Sequence, residues 1–191
     1  MANSILAIEK GFEFQAKFFW RKACELYIPH SNVAFVAWEI DNTPGFDDVA
    51  VYYEPEKISP YGTIRKEYYQ LKFHVTHNRA FTCEALIDPE FIGAISESVL
   101  QKLKKSYEAS TCEFEFSLYH IVNTWGLDRN DHIKDLLDSG GAFILTKLFD
   151  KKGEKTKYGK IRKKWKDHLN IDSDDILYKI IKQLRILHSS K

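Results

Sequence analysis

The chain has 191 residues, room for one domain with a full core and too few for two comfortably. Hydrophobic residues make up 44% and aromatic residues 14%, which suits a packed globular fold and excludes disorder; no apolar run approaches the ~20 residues that span a bilayer. The formal charge of +1 hides an asymmetry: residues 1–146 carry 14 basic against 21 acidic residues, net −7, and residues 147–191 carry 14 against 6, net +8.

The N-terminal stretch Met1–Lys10 has no basic leader and no long apolar run, so secretion is not expected. A first helix is predicted from about Gly11 to Leu26, with Phe12, Ala16, Phe19, Ala23 and Leu26 as its apolar face and Pro29 as its stop. Gln15 lies on the rim of that face, either as a bland surface amide or reaching inward. Val33–Ile40 reads as a strand with Glu39 facing opposite to Trp38 and Ile40, followed by a turn at Asp41–Gly45. Two further strand-like runs follow, Phe46–Tyr53 and Ile64–Val75, separated by a stretch with two prolines and a glycine. A helix is predicted from Pro89 to Tyr107, with Phe91, Ile95, Val99 and Leu103 inward, and then a strand from Thr111 to Val122. A helix between strands implies a crossover and parallel pairing. The order so far is α-β-β-β-α-β. The remainder reads as helical: Asp131–Ser139, a short apolar segment at Ala142–Phe149, Lys157–Leu169, and Asp172–Leu187 with Ile176, Leu177, Ile180, Ile181, Leu184 and Leu187 on one side.

Side chains alternate along a strand. In the second of the paired runs Tyr69, Leu71 and Phe73 therefore share an apolar face, and Gln70, Lys72 and His74 share the other. In the first, Asp48 points away from Val49 and Val51. A hairpin brings an acid, an amide and a lysine to one face, a set suited to a divalent cation and an attacking water. The competing reading is a polar sheet rim, with Asp48 capping a turn and Lys72 paired to it. His74 and His77 are close together but lack a third ligand at a zinc-like spacing, so polar surface or phosphate contact is the better reading. Cys24, Cys83 and Cys112 form neither a zinc pattern nor a disulfide framework, which fits a reducing, cytoplasmic setting.

Asp48 with Gln70-Leu71-Lys72 resembles the PD-(D/E)xK nuclease superfamily, in the branch whose second half-motif is QxK. Within it, the chain is most similar to the double-stranded DNA endonuclease domains of bacterial antiphage effectors, which are fused to cyclic-oligonucleotide sensors or to NTPase sensors. Gly11-Phe12-Glu13-Phe14-Gln15 at the first helix, Glu39 before the aspartate, and Asn123-Thr124-Trp125 after a later strand extend the resemblance. It covers the first two thirds of the chain well and the last third loosely. It implies an α/β fold with a restriction-endonuclease-like core over about residues 5–125 and a helical C-terminal part over about 126–191. The whole would be a single nuclease-like domain, either standing alone or cut from a larger protein.

In that reading Asp48, Glu39 and Gln70 bind Mg²⁺ or Mn²⁺, with Asp47 the alternative to Asp48 if the strand starts a residue away; Lys72 orients the nucleophilic water, and Gln15 completes the set. Gln70 departs from the commoner Glu or Asp and brings no charge, so the metal would depend more on Glu39. The implied partners are double-stranded DNA, a sensor domain in the same polypeptide and, in the active state, further copies of the chain. Phosphate contacts are expected from Lys160, Arg162, Lys163, Lys164 and Lys166, in the basic segment anchored by Ile161 and Trp165. The alternative for that segment is a solvated helix. The alternative for the domain is a catalytically inactive nucleic-acid-binding or oligomerisation module.

Overall fold

The computed structural model describes residues 2–41, 45–60, 62–74, 80–109, 117–150 and 153–189, with side chains from Leu6 onward. Helix α1 (Ala2–Cys24) is followed by strands β1 (Val33–Trp38), β2 (Val49–Ser59) and β3 (Gly62–Lys72), helix α2 (Val99–Ala109) and strand β4 (Ser117–Asn123). Helices α3 (Ile133–Leu136), α4 (Leu145–Leu148), α5 (Lys157–Leu169) and α6 (Asp174–Lys182) lead to strand β5 (Leu184–His188). The five strands form one sheet in the order β1-β2-β3-β4-β5. β1 to β3 pair antiparallel, whereas β4 runs parallel to β3 and β5 parallel to β4. The expected α/β class and its core order are met. Among the described residues no helix is long and apolar enough to cross a membrane.

Strand alternation divides the core into two layers. Val49, Val51, Tyr53, Tyr69, Leu71, Leu118 and Val122 face α1, where Phe18 is buried against Tyr69 with ring centroids 5.0 Å apart. Tyr119, Ile121, Leu184 and Ile186 face the other helices, packing with Leu100 and Leu103 of α2, Trp165 of α5, and Leu177, Ile180 and Ile181 of α6. β4 is buried along its whole length, because helices cover both of its faces.

Several boundaries differ from the sequence expectation, each for a local reason. The inward face of α1 is carried by Phe14 and Phe18, and Phe12 is exposed. Glu39 is not part of a strand: β1 ends at Trp38, and Glu39 has φ 48, a left-handed conformation that turns the chain. The predicted Pro89–Tyr107 helix is two pieces. A 3-10 turn at Pro89–Ile92 stops at Gly93, whose φ of 69 makes it a left-handed cap; α2 starts six residues later, and Ile95 between them is fully exposed. Of the Thr111–Val122 strand, Ser117 onward is β4, and residues 111–116 lie outside the described part. The last helix ends at Lys182, and Leu184–His188 is a strand that completes the sheet beside β4. Burial of Leu184 and Ile186 there contributes about 1.5–3 kcal/mol each.

Candidate functional site

Val49 faces Tyr69 across the β2–β3 pair, so one step back along β2 sets Asp48 beside Gln70. The Asp48 carboxylate oxygen Oδ2 accepts from the Gln70 side-chain amide at 2.5 Å and from the Leu71 backbone N–H at 2.5 Å. On the other side, the backbone N–H groups of Glu39 and Ile40 donate to the carbonyls of Asp48 and Asp47, extending the β1–β2 ladder to this end of the sheet. Lys72 closes β3 and pairs in register with Asn123, the last residue of β4. Gln70 and Lys72 lie on the sheet face away from α1, because Tyr69 and Leu71 occupy the α1 face.

The charges in this cluster are poorly compensated. Burial pushes the Asp48 carboxyl above its ordinary pKa, although the Leu71 N–H, the Lys72 charge and the Gln70 amide all favour the anion; Asp47 adds to the rise. Burial also pulls the Lys72 ammonium below its ordinary value, with Asp48 and Asp47 opposing and Lys102 reinforcing the drop. A cation beside Asp48 and an anion beside Lys72 would each relieve a desolvated charge.

Lys102, on α2, was not among the residues singled out from sequence. Its aliphatic stem lies against Gly45, where an added Cβ would come within 2.3 Å of Lys102 Cδ. Gly45 also has φ +83, so both its conformation and its missing side chain make room for Lys102. The available sequence hint was Lys102 adjoining Leu103 on the stripe that starts at Val99, with a glycine three residues before Asp48. Asn123 likewise gains a place in the site's surroundings. Its amide donates to the Leu187 carbonyl at 3.2 Å, while its buried Oδ1 has no hydrogen-bond partner among the described residues.

Asp48, Gln70 and Lys72 are thus brought together. Glu39 is adjacent through its backbone but has an exposed side chain, and Asp47 is exposed as well. Gln15 sits half-buried on α1, the helix that packs on the opposite face of the sheet. His74 stacks on Trp125, and its backbone N–H donates to Thr124 Oγ1; His77 lies outside the described residues. Among the described residues no three His, Cys, Asp or Glu side chains converge. The oxygen donors at hand are one half-buried carboxylate and one amide. They fit a hard ion such as Mg²⁺, which keeps much of its water and takes one or two protein carboxylates.

The basic C-terminal helix departs from expectation. Arg162 is a core residue, 2% exposed, donating to the Leu148 carbonyl and to Asp174. It therefore cannot meet a phosphate without unfolding the α5–α6 contact. Lys163 pairs with Glu154, Lys164 with Glu84 and Lys166 with Asp174, and Lys160 is exposed. Trp165 anchors the helix as expected, its indole N–H donating to the Cys83 carbonyl at 3.0 Å.

A comparison with protein-family models finds no match for the chain. Across 192 aligned residues, 99% of the chain, it is 37% identical to CD-NTase-associated protein 4 of Enterobacter hormaechei subsp. hoffmannii (strain UCI 50). The match spans 38% of that protein's length, little more than a third.

Proposed function

We propose that this domain is a metal-dependent endonuclease for double-stranded DNA, with little sequence preference, and the effector portion of an antiphage defence protein. The observation that carries the nuclease reading is the convergence of Asp48, Gln70 and Lys72 at one end of the β2–β3 pair, on one sheet face. The defence role is supported by the similarity to a protein named for its association with a CD-NTase. That relative extends far beyond the matched stretch, which leaves room in it for a sensor. A sensor in the polypeptide that carries this domain, and assembly into oligomers on activation, belong to the same proposal.

Phosphodiester hydrolysis needs a positioned water and a counterweight for charge that builds on the phosphate. A divalent cation bound at Asp48 and Gln70 would supply Lewis-acid charge to the scissile phosphate. Lys72 would hold the attacking water by hydrogen bonding and offset the developing negative charge. Lys102 adds a second positive charge from α2, close enough to depress Lys72. Gly45 keeps that approach open. The Leu71 N–H and Gln70 amide fix the Asp48 carboxylate in one orientation, so the site is organised before substrate arrives.

The test is nicking of supercoiled plasmid with Mg²⁺ and with chelator, for the parent and for Lys72→Ala and Asp48→Asn. Loss of cleavage by roughly two orders of magnitude or more, with DNA affinity kept in Lys72→Ala, is the expected result. Parent-rate nicking by either variant would refute the assignment. A second reading, a catalytically inactive nucleic-acid module, draws on Asp48 Oδ2 already accepting two internal hydrogen bonds. DNA binding without Mg²⁺-dependent nicking, under conditions that also assemble the protein, would favour it.

A further inference from the structure

A groove of about 350 Å³ lies on the side of the sheet opposite the α2 layer, lined by Lys10, Glu13, Phe14, Lys17, Phe18 and Arg21 of α1, with Phe73 and Ser189. Its position is set by the site. Phe73 is the residue after Lys72, and the Ser189 N–H donates to the carbonyl of Asn123, which pairs in register with Lys72. The groove and the Asp48–Lys72 cluster therefore flank the same end of the sheet from its two faces.

Lys10, Lys17 and Arg21 fall on one side of α1, next to the inward Phe14 and Phe18. Lys10 and Arg21 are eleven residue steps apart, about 16 Å of helix at the usual rise. All three are exposed, and the Arg21 guanidinium rests over the Phe18 ring at 4.7 Å. Glu13 is the one anion of the lining and holds Lys17 at 2.6 Å, both side chains in water. Such an exposed pair is weak and exchanges readily for a stronger anion. Between the cations, Phe14 and Phe73 make an apolar floor, ring centroids 5.8 Å apart. A row of cations beside an apolar strip matches the backbone of a nucleic acid strand, with its charged phosphates and uncharged sugars. Of the α5 cations first expected to serve this purpose, Arg162 is buried and Lys166 pairs with Asp174, whereas Lys163 and Lys164 pair with exposed carboxylates as Lys17 does, and Lys160 is exposed.

We propose that this α1 groove seats a phosphodiester backbone of duplex DNA, with phosphates on Lys10, Lys17 and Arg21 and sugars on the Phe14–Phe73 floor, positioning the duplex at Lys72. The inference rests on the nuclease reading and adds to it the surface that presents the substrate. It reads no bases, so it gives affinity without sequence preference.

The experiment measures affinity of the full protein for duplexes of unrelated sequence over a salt series, in chelator so that no cleavage intervenes. The combined Lys10→Gln, Lys17→Gln, Arg21→Gln variant should bind about tenfold or more weakly for every sequence, and its log–log salt slope should fall by about two to three units. Glu13→Gln should bind more tightly than the parent, because it removes the anion that competes for Lys17. Lys160→Gln with Lys163→Gln should leave affinity and slope near parental values. A triple variant with parental affinity and slope, from a parent that binds duplex, overturns the groove and leaves the nuclease reading standing. Weakening in the α5 pair with none in the α1 set does the same. A parent that neither binds duplex nor nicks plasmid overturns both.

Discussion

A methyl group on Gly45 would overlap the Lys102 stem, and the left-handed φ of this glycine disfavours any side chain there. Gly45→Ala should therefore act on the site without touching Asp48, Gln70 or Lys72. Its expected effect is a fall of about tenfold in plasmid nicking through displacement of Lys102, matched by Lys102→Met and not additive with it. If Gly45→Ala nicks at the parental rate while Lys102→Met does not, the glycine has no positioning role. Asp48 and Lys72 were legible in the sequence because strand alternation forces their facing once Val49, Val51, Tyr69 and Leu71 are assigned to the core. Lys102 was not, since its relevance depends on how α2 lies over the Gly45 turn. Arg162 was misread because composition cannot tell a lysine-rich solvent face from the one arginine that turns inward to Leu148 and Asp174.

Among the elements, β5 shows where a sequence pattern is ambiguous. Leu184 and Leu187 continue the helical spacing of Leu177, Ile180 and Ile181, so Asp172–Leu187 reads as one amphipathic helix. The chain instead leaves α6 at Lys182, because a strand here buries Leu184 and Ile186 against the helices while Leu187 packs on the α1 side. Gly141 secures this edge. Its carbonyl accepts from the Ile186 N–H at 2.9 Å, and a Cβ on it would come within 2.2 Å of the Ile186 carbonyl oxygen. With φ +75, Gly141→Ala adds backbone strain to that overlap. The variant should lose about 2–4 kcal/mol, seen as a fall of roughly 5–15 °C in Tm. A Tm within a degree or two of the parent would show that the turn relaxes freely. The β2–β3 hairpin was legible for the opposite reason: its alternation has period two over long runs, and no helix can bury that pattern.

On the scale of the whole molecule, the α1 face of the sheet contains a buried polar group that sets the response to acid. Glu67 accepts from the hydroxyls of Tyr53 and Tyr69 and from Lys57. His120 stacks on Tyr69 with ring centroids 4.4 Å apart, and neither of its ring nitrogens has a hydrogen-bond partner among the described residues. Burial holds His120 well below the ordinary imidazole pKa, with Arg185, Lys22 and Lys57 adding repulsion and Glu67 opposing. A group depressed in the folded state is neutral there while the unfolded chain takes up a proton, so stability falls as pH drops below about 6.5. The slope contributed by His120 approaches about 1.4 kcal/mol per pH unit once the unfolded imidazole is fully protonated. His120→Phe keeps the stack on Tyr69 and should flatten urea midpoints between about pH 6.5 and 4.5. An unchanged pH profile in that variant would place the acid sensitivity elsewhere. The mixed topology of the sheet bears on assembly as well. Strands β1, β2 and β3 form a local antiparallel meander, whereas β4 and β5 join only through long crossovers. Local pairings close first and distant ones last. The hairpin that carries Asp48 and Lys72 can thus take shape early during synthesis, while β5 reaches its slot only after the stretch through His188 has emerged. Until then β4, apolar and without its outer neighbour, is an open edge, and a nascent chain stalled before Leu184 would be prone to pair with its own kind.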